Sequence, residues 1–120
     1  MEQFSPGMHL LIDHRGGSAL AEAGRIETAM REAADDVGAT ILSASVHALP
    51  DGVSGAVILA EGHITVRTWV EQGYASFDVF LSGDGLAKRV ADALARAMMP
   101  DWTQINAVTR NDFTPRPPAA

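Results

Sequence analysis

The chain of 120 residues contains no cysteine, which excludes disulfide bonds and metal sites built on thiolates. Basic residues are also few, nine against fifteen acidic ones, so that the formal charge is −6 and a nucleic-acid backbone is not an expected partner. No apolar run approaches the roughly 20 residues needed to span a membrane. The first residues lack a basic region followed by an apolar core, so we expect no export signal. Composition therefore predicts a cytoplasmic protein without nucleic-acid or membrane partners.

Apolar residues recur at helical spacing in two segments. The first pattern predicts a helix over residues 19–37, with Ser18 as its N-cap and Gly38 as the residue that ends it. The second predicts a helix over residues 85–98, capped by Asp84.

The remaining apolar segments have the length and alternation of strands. They cover residues 8–13, 39–47, 53–60, 64–70, 74–81 and 102–109. The resulting order, β-α-β-β-β-β-α-β, predicts an α+β fold: a two-layer sandwich with two helices on one face of an antiparallel sheet. We expect one domain over residues 1–113, followed by a disordered proline-rich tail at 114–120.

Two neighbouring strands, 64–70 and 74–81, each alternate between an apolar face and a mixed face. The mixed face carries His63, Arg67, Trp69, Asp78 and Ser82. A mixed face on so short a sheet predicts either a ligand site or a subunit interface. Arg67 would bind an anionic group there, pair with Asp78 on the next strand, or contact a second subunit.

A long segment, 61–71 (EGHITVRTWVE), is flanked by shorter pieces that share its relationship to one known family. They are 7–11 (GMHLL), 38–42 (GATIL), 52–57 (GVSGAV), 73–75 (GYA) and 78–83 (DVFLSG). In content and order these pieces resemble the prokaryotic S-adenosylmethionine decarboxylase family, over about residues 7–100. The resemblance implies the family's α+β sandwich fold and its dimeric assembly through the second face of the sheet.

The resemblance also implies a chemistry that this chain lacks the residues to perform. Family members cleave themselves at a serine, which becomes a pyruvoyl group that accepts electrons from the substrate. Gly62 stands at that position and has no side-chain oxygen. The family's processing histidine corresponds to Arg67, which cannot act as a base near neutral pH. Its proton-donating cysteine corresponds to Ser82, a poor donor. We therefore expect no pyruvoyl cofactor.

Other positions of the family's signature are retained, and they predict the ligand-binding residues. They are Ser54, Glu61, His63, Trp69 and Glu71, to which Arg67 adds a positive charge. Structural roles are open beside these: Gly62 as a bulge or turn glycine, His63 as a hydrogen-bonded structural residue and Trp69 as a packing residue. The four histidines lie on different elements without ligand spacing, so we predict no metal site.

Three functions follow as hypotheses. The first is a non-catalytic protein, ligand-binding or regulatory, linked to polyamine (spermidine) or S-adenosylmethionine metabolism. It would bind a small molecule similar to S-adenosylmethionine and form a homodimer or associate with an active decarboxylase paralogue. The second is an enzyme with different chemistry on the same site, with His63 as general base and Arg67 and Glu71 orienting the substrate. The third is a decarboxylase that is active only with a partner chain.

Overall fold

The computed structural model describes residues 4–83 and 85–111. Its elements are β1 (Met8–Arg15), α1 (Ala23–Asp36), β2 (Ile41–Leu49), β3 (Gly52–Leu59), β4 (Gly62–Trp69), β5 (Tyr74–Leu81), α2 (Leu86–Met98) and β6 (Trp102–Thr109). This order confirms the predicted succession of strands and helices. The predicted cap Asp84 and the predicted tail at 114–120 lie outside the described residues, and the domain extent 1–113 stays a prediction.

The six strands form one antiparallel sheet in the order β2-β3-β4-β5-β1-β6. Strands β2 to β5 follow one another as hairpins, whereas β1 lies between β5 and β6. In this register Gly62 and Met8 both pair with Leu81. The β3–β4 turn, the end of β5 and the start of β1 therefore meet at one end of the sheet.

Both helices pack on the same face of the sheet. Strand residues turned toward them are fully buried, as are the facing helix residues; examples are Ile12, Ile64 and Phe77 on the strands, Ile26 on α1 and Leu94 on α2. Burial of such large apolar side chains is the main stabilising contribution in a domain of this size. The predicted two-layer α+β sandwich is confirmed.

Helix α1 begins at Ala23, later than the predicted start at residue 19. Ser18 is not its N-cap, because its backbone N–H and its Oγ both donate to the carbonyl oxygen of Met98 at the end of α2, at 2.8 and 3.2 Å. Ala19 then adopts a left-handed φ of 62°, which delays the helix. Gly38 follows the helix as predicted, with a φ of 72°. No helix in the described residues is long and apolar enough to cross a membrane.

One polar side chain is sealed between the sheet and the helices. His14 on β1 is only 1% exposed, and its ring lies 5.3 Å from that of Phe77. Neither of its ring nitrogens has a hydrogen-bond partner among the described residues. Burial lowers the pKa of His14, and the nearby Asp13 carboxylate opposes that effect. The imidazole is therefore held in its neutral form.

No described element covers the other face of the sheet, which we call the open face. It consists of the strand residues that alternate with the buried ones, aligned in rows across the sheet. The row nearest the β3–β4 turn contains Ile58, His63, Phe80, His9 and Val108. The row at the opposite end contains Gly52, Trp69, Tyr74, Arg15 and Trp102. The exposed apolar side chains of this face include Leu11, Leu49, Ile58, Trp102 and Val108.

Candidate ligand site on the open face

The β3–β4 turn is held by Thr40, the residue that precedes β2. The backbone N–H of Thr40 donates to the Glu61 carboxylate at 2.8 Å, and the N–H of Ala60 donates to the Thr40 carbonyl at 2.9 Å. The first of these hydrogen bonds lowers the pKa of Glu61. One oxygen of this predicted ligand-binding carboxylate is thus already occupied by the protein's own backbone.

Ser82 holds the peptide that precedes Gly62. The carbonyl oxygen of Glu61 accepts hydrogen bonds from the backbone N–H of Ser82, at 3.1 Å, and from its Oγ, at 3.3 Å. The structure therefore brings Glu61, Gly62 and Ser82 together, although they come from two different strand ends. Two donors on one carbonyl polarise it, which is the geometry suited to stabilising a developing negative charge.

Gly62 occupies a position that leaves no room for a side chain. Its φ is +155°, and a Cβ built on its backbone would lie 1.8 Å from the carbonyl oxygen of Phe80 and 2.8 Å from the carbon. Such distances are far below van der Waals contact, so any other residue requires β4 or β5 to move. Close approach of two backbones is thus a structural reason for glycine here. The pyruvoyl group implied by the resemblance does not fit this position, which offers neither a hydroxyl nor space for a Cβ.

Next to Gly62, three rings form a patch on the open face. His63 stacks on Phe80, with centroids 5.8 Å apart, and His9 meets Phe80 edge-on at 5.7 Å. His9 Nε2 lies 3.1 Å from Asp78 Oδ1, and Thr65 donates to the other carboxylate oxygen at 3.5 Å. The patch offers flat rings beside a carboxylate, an arrangement that can hold a planar ligand carrying hydrogen-bond donors.

Sequence reasoning missed His9 and Phe80 as members of this site. The alternation of residues 74–81 puts Phe80 on the same face as Asp78, but no local pattern brings β1 beside β5. The pairing of His9 with Phe80, and of Phe80 with His63, follows from the sheet order. Predicting this cluster would have required placing β1 between β5 and β6 in the sheet.

At the other end of β4, the side chains contact each other. Trp69 stacks on Tyr74 with centroids 5.4 Å apart, and the guanidinium carbon of Arg67 lies 4.5 Å from the Trp69 ring centre. The Tyr74 hydroxyl donates to Asp13 at 2.5 Å, and this hydrogen bond raises the pKa of Tyr74. At this end, the Arg67 guanidinium therefore lies over the stacked rings of Trp69 and Tyr74.

Arg67 does not pair with Asp78, so that alternative was wrong. Its guanidinium donates to both carboxylate oxygens of Asp51 at 3.1 Å, and to the carbonyl of Thr68 at 2.5 Å. Asp51 lies in the turn between β2 and β3, which the register brings beside the end of β4, whereas Asp78 is held by His9. Much of the positive charge predicted to attract a ligand is therefore already neutralised.

The predicted ligand-binding residues are divided between the two ends of the open face. Glu61 and His63 lie at one end and Trp69 at the other; at ~3.4 Å per residue, His63 and Trp69 are roughly 20 Å apart along the strand. Ser54 pairs with Arg67 in register toward the Trp69 end. Glu71 lines a cleft of about 470 Å³ with Trp69, beyond the end of β4. The structure does not bring these residues into one pocket within a single protomer.

The histidines do not assemble a metal site in the described part of the chain. Within residues 4–83 and 85–111, no group of three or more histidine and carboxylate side chains is placed to hold a metal ion. His9 and His63 share a row, but His14 faces the helices, and His47 on β2 contacts Ser45 at 2.6 Å.

Comparison with known sequences gives consistent relatives. Residues 8–111 match the family model described as S-adenosylmethionine decarboxylase. The S-adenosylmethionine decarboxylase proenzyme of Thermosipho melanesiensis is 52% identical over 60 residues, which are 49% of this chain and 46% of that protein. The proenzyme of the same name from Acidithiobacillus ferrooxidans is 47% identical over 83 residues, 67% of this chain and 62% of that protein. The matched segment thus spans about half the length of the first of these relatives.

Comparison with solved structures extends the similarity over almost the whole chain. The crystal structure of the adenosylmethionine decarboxylase from Aquifex aeolicus superposes with a TM-score of 0.83, over 96% of this chain and 98% of that one. At 23% sequence identity this similarity concerns the fold. The same fold and a family match that covers most of the sequence lead to one conclusion: the chain belongs to the S-adenosylmethionine decarboxylase family.

Proposed function

We propose that this chain is a family member that cannot form its own pyruvoyl group. It acts instead as a ligand-binding or regulatory protein linked to polyamine (spermidine) or S-adenosylmethionine metabolism. The observation that carries the proposal is at Gly62, where the side-chain oxygen is absent and a Cβ would lie 1.8 Å from the Phe80 carbonyl oxygen. Substitution of the processing and proton-donor positions by Arg67 and Ser82 supports it. A cytoplasmic location stays a prediction from the sequence.

The proposed ligand is a small molecule similar to S-adenosylmethionine, bound at the Gly62 end of the open face. Such a molecule combines a flat purine with cationic groups. The stacked rings of His63 and Phe80 suit the purine, and the carboxylates of Glu61 and Asp78 suit the cations. Relatives named as decarboxylases of S-adenosylmethionine support this choice.

The proposed assembly is a homodimer that buries the open face. Exposed Leu11, Ile58 and Val108 lie on that face, and clustered exposed apolar side chains are typical of interfaces. A two-fold axis parallel to the sheet plane and perpendicular to the strands would also place the Trp69 end of one copy over the Gly62 end of the other. That arrangement would reunite the retained ligand-binding residues, which one protomer separates. An active decarboxylase paralogue is the alternative partner for the same face.

The two enzymatic hypotheses receive less support from the geometry. In the repurposed enzyme, Arg67 and Glu71 would orient a substrate toward His63, but Arg67 is held by Asp51 and Glu71 lies beyond the opposite end of β4. A decarboxylase that borrows a partner chain's pyruvoyl group requires the composite interface described above. It predicts activity only in a mixture with an active paralogue.

Intact mass tests the central claim. We expect the purified, denatured chain to give one species at its full 12.7 kDa. Two fragments from a break between Glu61 and Gly62 would overturn the proposal.

Thermal shift with S-adenosylmethionine should show binding, while the chain alone should release no carbon dioxide. Turnover that is lost in His63→Ala would favour the repurposed enzyme, and an unchanged melting temperature would contradict ligand binding.

A triple revertant separates lost chemistry from a changed scaffold. The variant Gly62→Ser, Arg67→His and Ser82→Cys restores the three family residues. We expect it not to cleave itself, because the new Cβ meets the Phe80 carbonyl and pushes the turn out of place. Self-cleavage of this variant would mean that the backbone adapts readily and that side chains alone account for the loss.

A further inference from the structure

Strand β6 is the least covered strand of the sheet. It lies at the edge beside β1, and within residues 4–83 and 85–111 it pairs with no other strand. Its pairing with β1 is regular over all eight residues. Seven of these residues are exposed and only Ile105 is half-buried, so β6 projects beyond the helix layer and is accessible on both faces.

In the part of the chain that the structure describes, β6 also lacks the features by which proteins usually protect an edge strand. Charges, prolines, bulges or a covering element normally prevent edge-to-edge association. The segment WTQINAVT contains no charge, proline or glycine, and five of its eight residues are β-branched or aromatic. The opposite edge, β2, is protected: its pairing with β3 is irregular between Ile41 and Ser43, and α1 packs against it.

We propose that two copies of this chain associate through β6, antiparallel about a two-fold axis at Ile105, so that two six-stranded sheets become one continuous sheet. Register supports this axis. Trp102, Gln104, Asn106 and Val108 lie on the open face, and a continuous sheet must pair residues of the same face. With Ile105 opposite its own copy, Gln104 faces Asn106 of the second copy, and Trp102 faces Val108.

Each of these pairs is complementary, which favours a second copy over an unrelated partner. Gln104 and Asn106 can exchange amide hydrogen bonds, and Trp102 with Val108 forms an aromatic–aliphatic pair.

This interface is formed by the edge of the sheet, whereas the proposed homodimer uses the open face; the two share only the β6 side chains that lie on that face, such as Val108. If the chain associates through both the open face and β6, the assembly is a tetramer. If it associates through β6 alone, the assembly is a dimer. Loss of the β6 contact therefore halves the mass in either case. Ligand binding at the Gly62 end is expected to remain.

Paired double variants test both the contact and its register. In Gln104→Lys/Asn106→Lys, each new lysine faces a lysine of the second copy, so that two like-charged pairs repel across the interface. In Gln104→Lys/Asn106→Glu, the same positions carry opposite charges that attract. Both side chains are exposed in the protomer, so both variants should fold, with matching circular dichroism spectra and melting temperatures.

Sedimentation velocity of the full chain gives the result. We expect the dilysine variant to have half the mass of the wild type in sedimentation. Its dissociation constant should rise on the order of ten-fold or more. The lysine–glutamate variant should recover the wild-type mass. An equal mass for all three proteins would overturn the proposal. So would a lysine–glutamate variant that behaves like the dilysine one, since that outcome assigns β6 a different register or a different occupant.

Discussion

The two ends of the open face are stabilised in different ways. At the Gly62 end, backbone atoms dominate: the Glu61 carbonyl is held by Ser82, and Gly62 lies against the Phe80 carbonyl. At the Trp69 end, side chains stack and pair in addition to one close backbone approach, that of Gly52 to the Thr68 carbonyl. The contrast shows which contacts of the open face can accept a substitution. A backbone-defined end tolerates no added atoms, whereas a side-chain-defined end can exchange one contact for another.

The largest expected effect concerns the backbone-defined end. Gly62→Ala should lower the free energy of unfolding by about 2–4 kcal/mol, because a Cβ there collides with the Phe80 carbonyl. Gly24→Ala is the matched control: it lies in α1, with nothing within 4 Å of its Cβ, and should stabilise by up to about 1 kcal/mol. Urea denaturation of both variants measures the difference. A stable Gly62→Ala protein would mean that this end is not defined by close backbone approach.

An intermediate effect is expected at the side-chain end. Arg67→Ala removes the contact over Trp69 and the ion pair with Asp51, which together should be worth about 1–2 kcal/mol after allowance for partial exposure. Arg25→Ala, whose pair with Glu22 is exposed on both sides, should cost less than about 0.5 kcal/mol. Equal costs would show that Arg67 does not stabilise the stack and is free to bind a ligand.

The smallest effect is a pH dependence at Glu61. The Thr40 N–H lowers the pKa of this carboxyl below its ordinary value of 4.5. Its stabilising contribution is therefore complete above pH 4.5 and is lost as the pH falls through the folded-state pKa. Glu61→Gln should melt slightly below the wild type at pH 7, and the two melting temperatures should converge once the pH is below the folded-state pKa. A difference that grows in acid would contradict the assigned hydrogen bond.

Local patterns predicted the fold well, and they failed where distant segments meet. Alternation after the turn at Gly73 gave β5 its observed bounds, and the strand predicted over residues 102–109 has the observed bounds of β6. The start of α1 was missed because Ser18 bonds to Met98, eighty residues away. The missing oxygen at Gly62 is visible in the sequence, but its contact with Phe80 depends on cross-strand register. The partner of Arg67 likewise could not be chosen, since Asp51 lies in a turn and Asp78 on the adjacent strand.

The sealed imidazole of His14 makes the fold vulnerable to acid. In the unfolded chain, the His14 ring takes up a proton with its ordinary pKa of 6.5. In the native state, burial against Phe77 opposes that protonation. Below that pH the unfolded chain binds more protons than the folded one at this residue, so stability declines as the pH falls from 6.5 toward the lowered native pKa. Mild acidification is thus expected to lower the free energy of unfolding through this one buried ring.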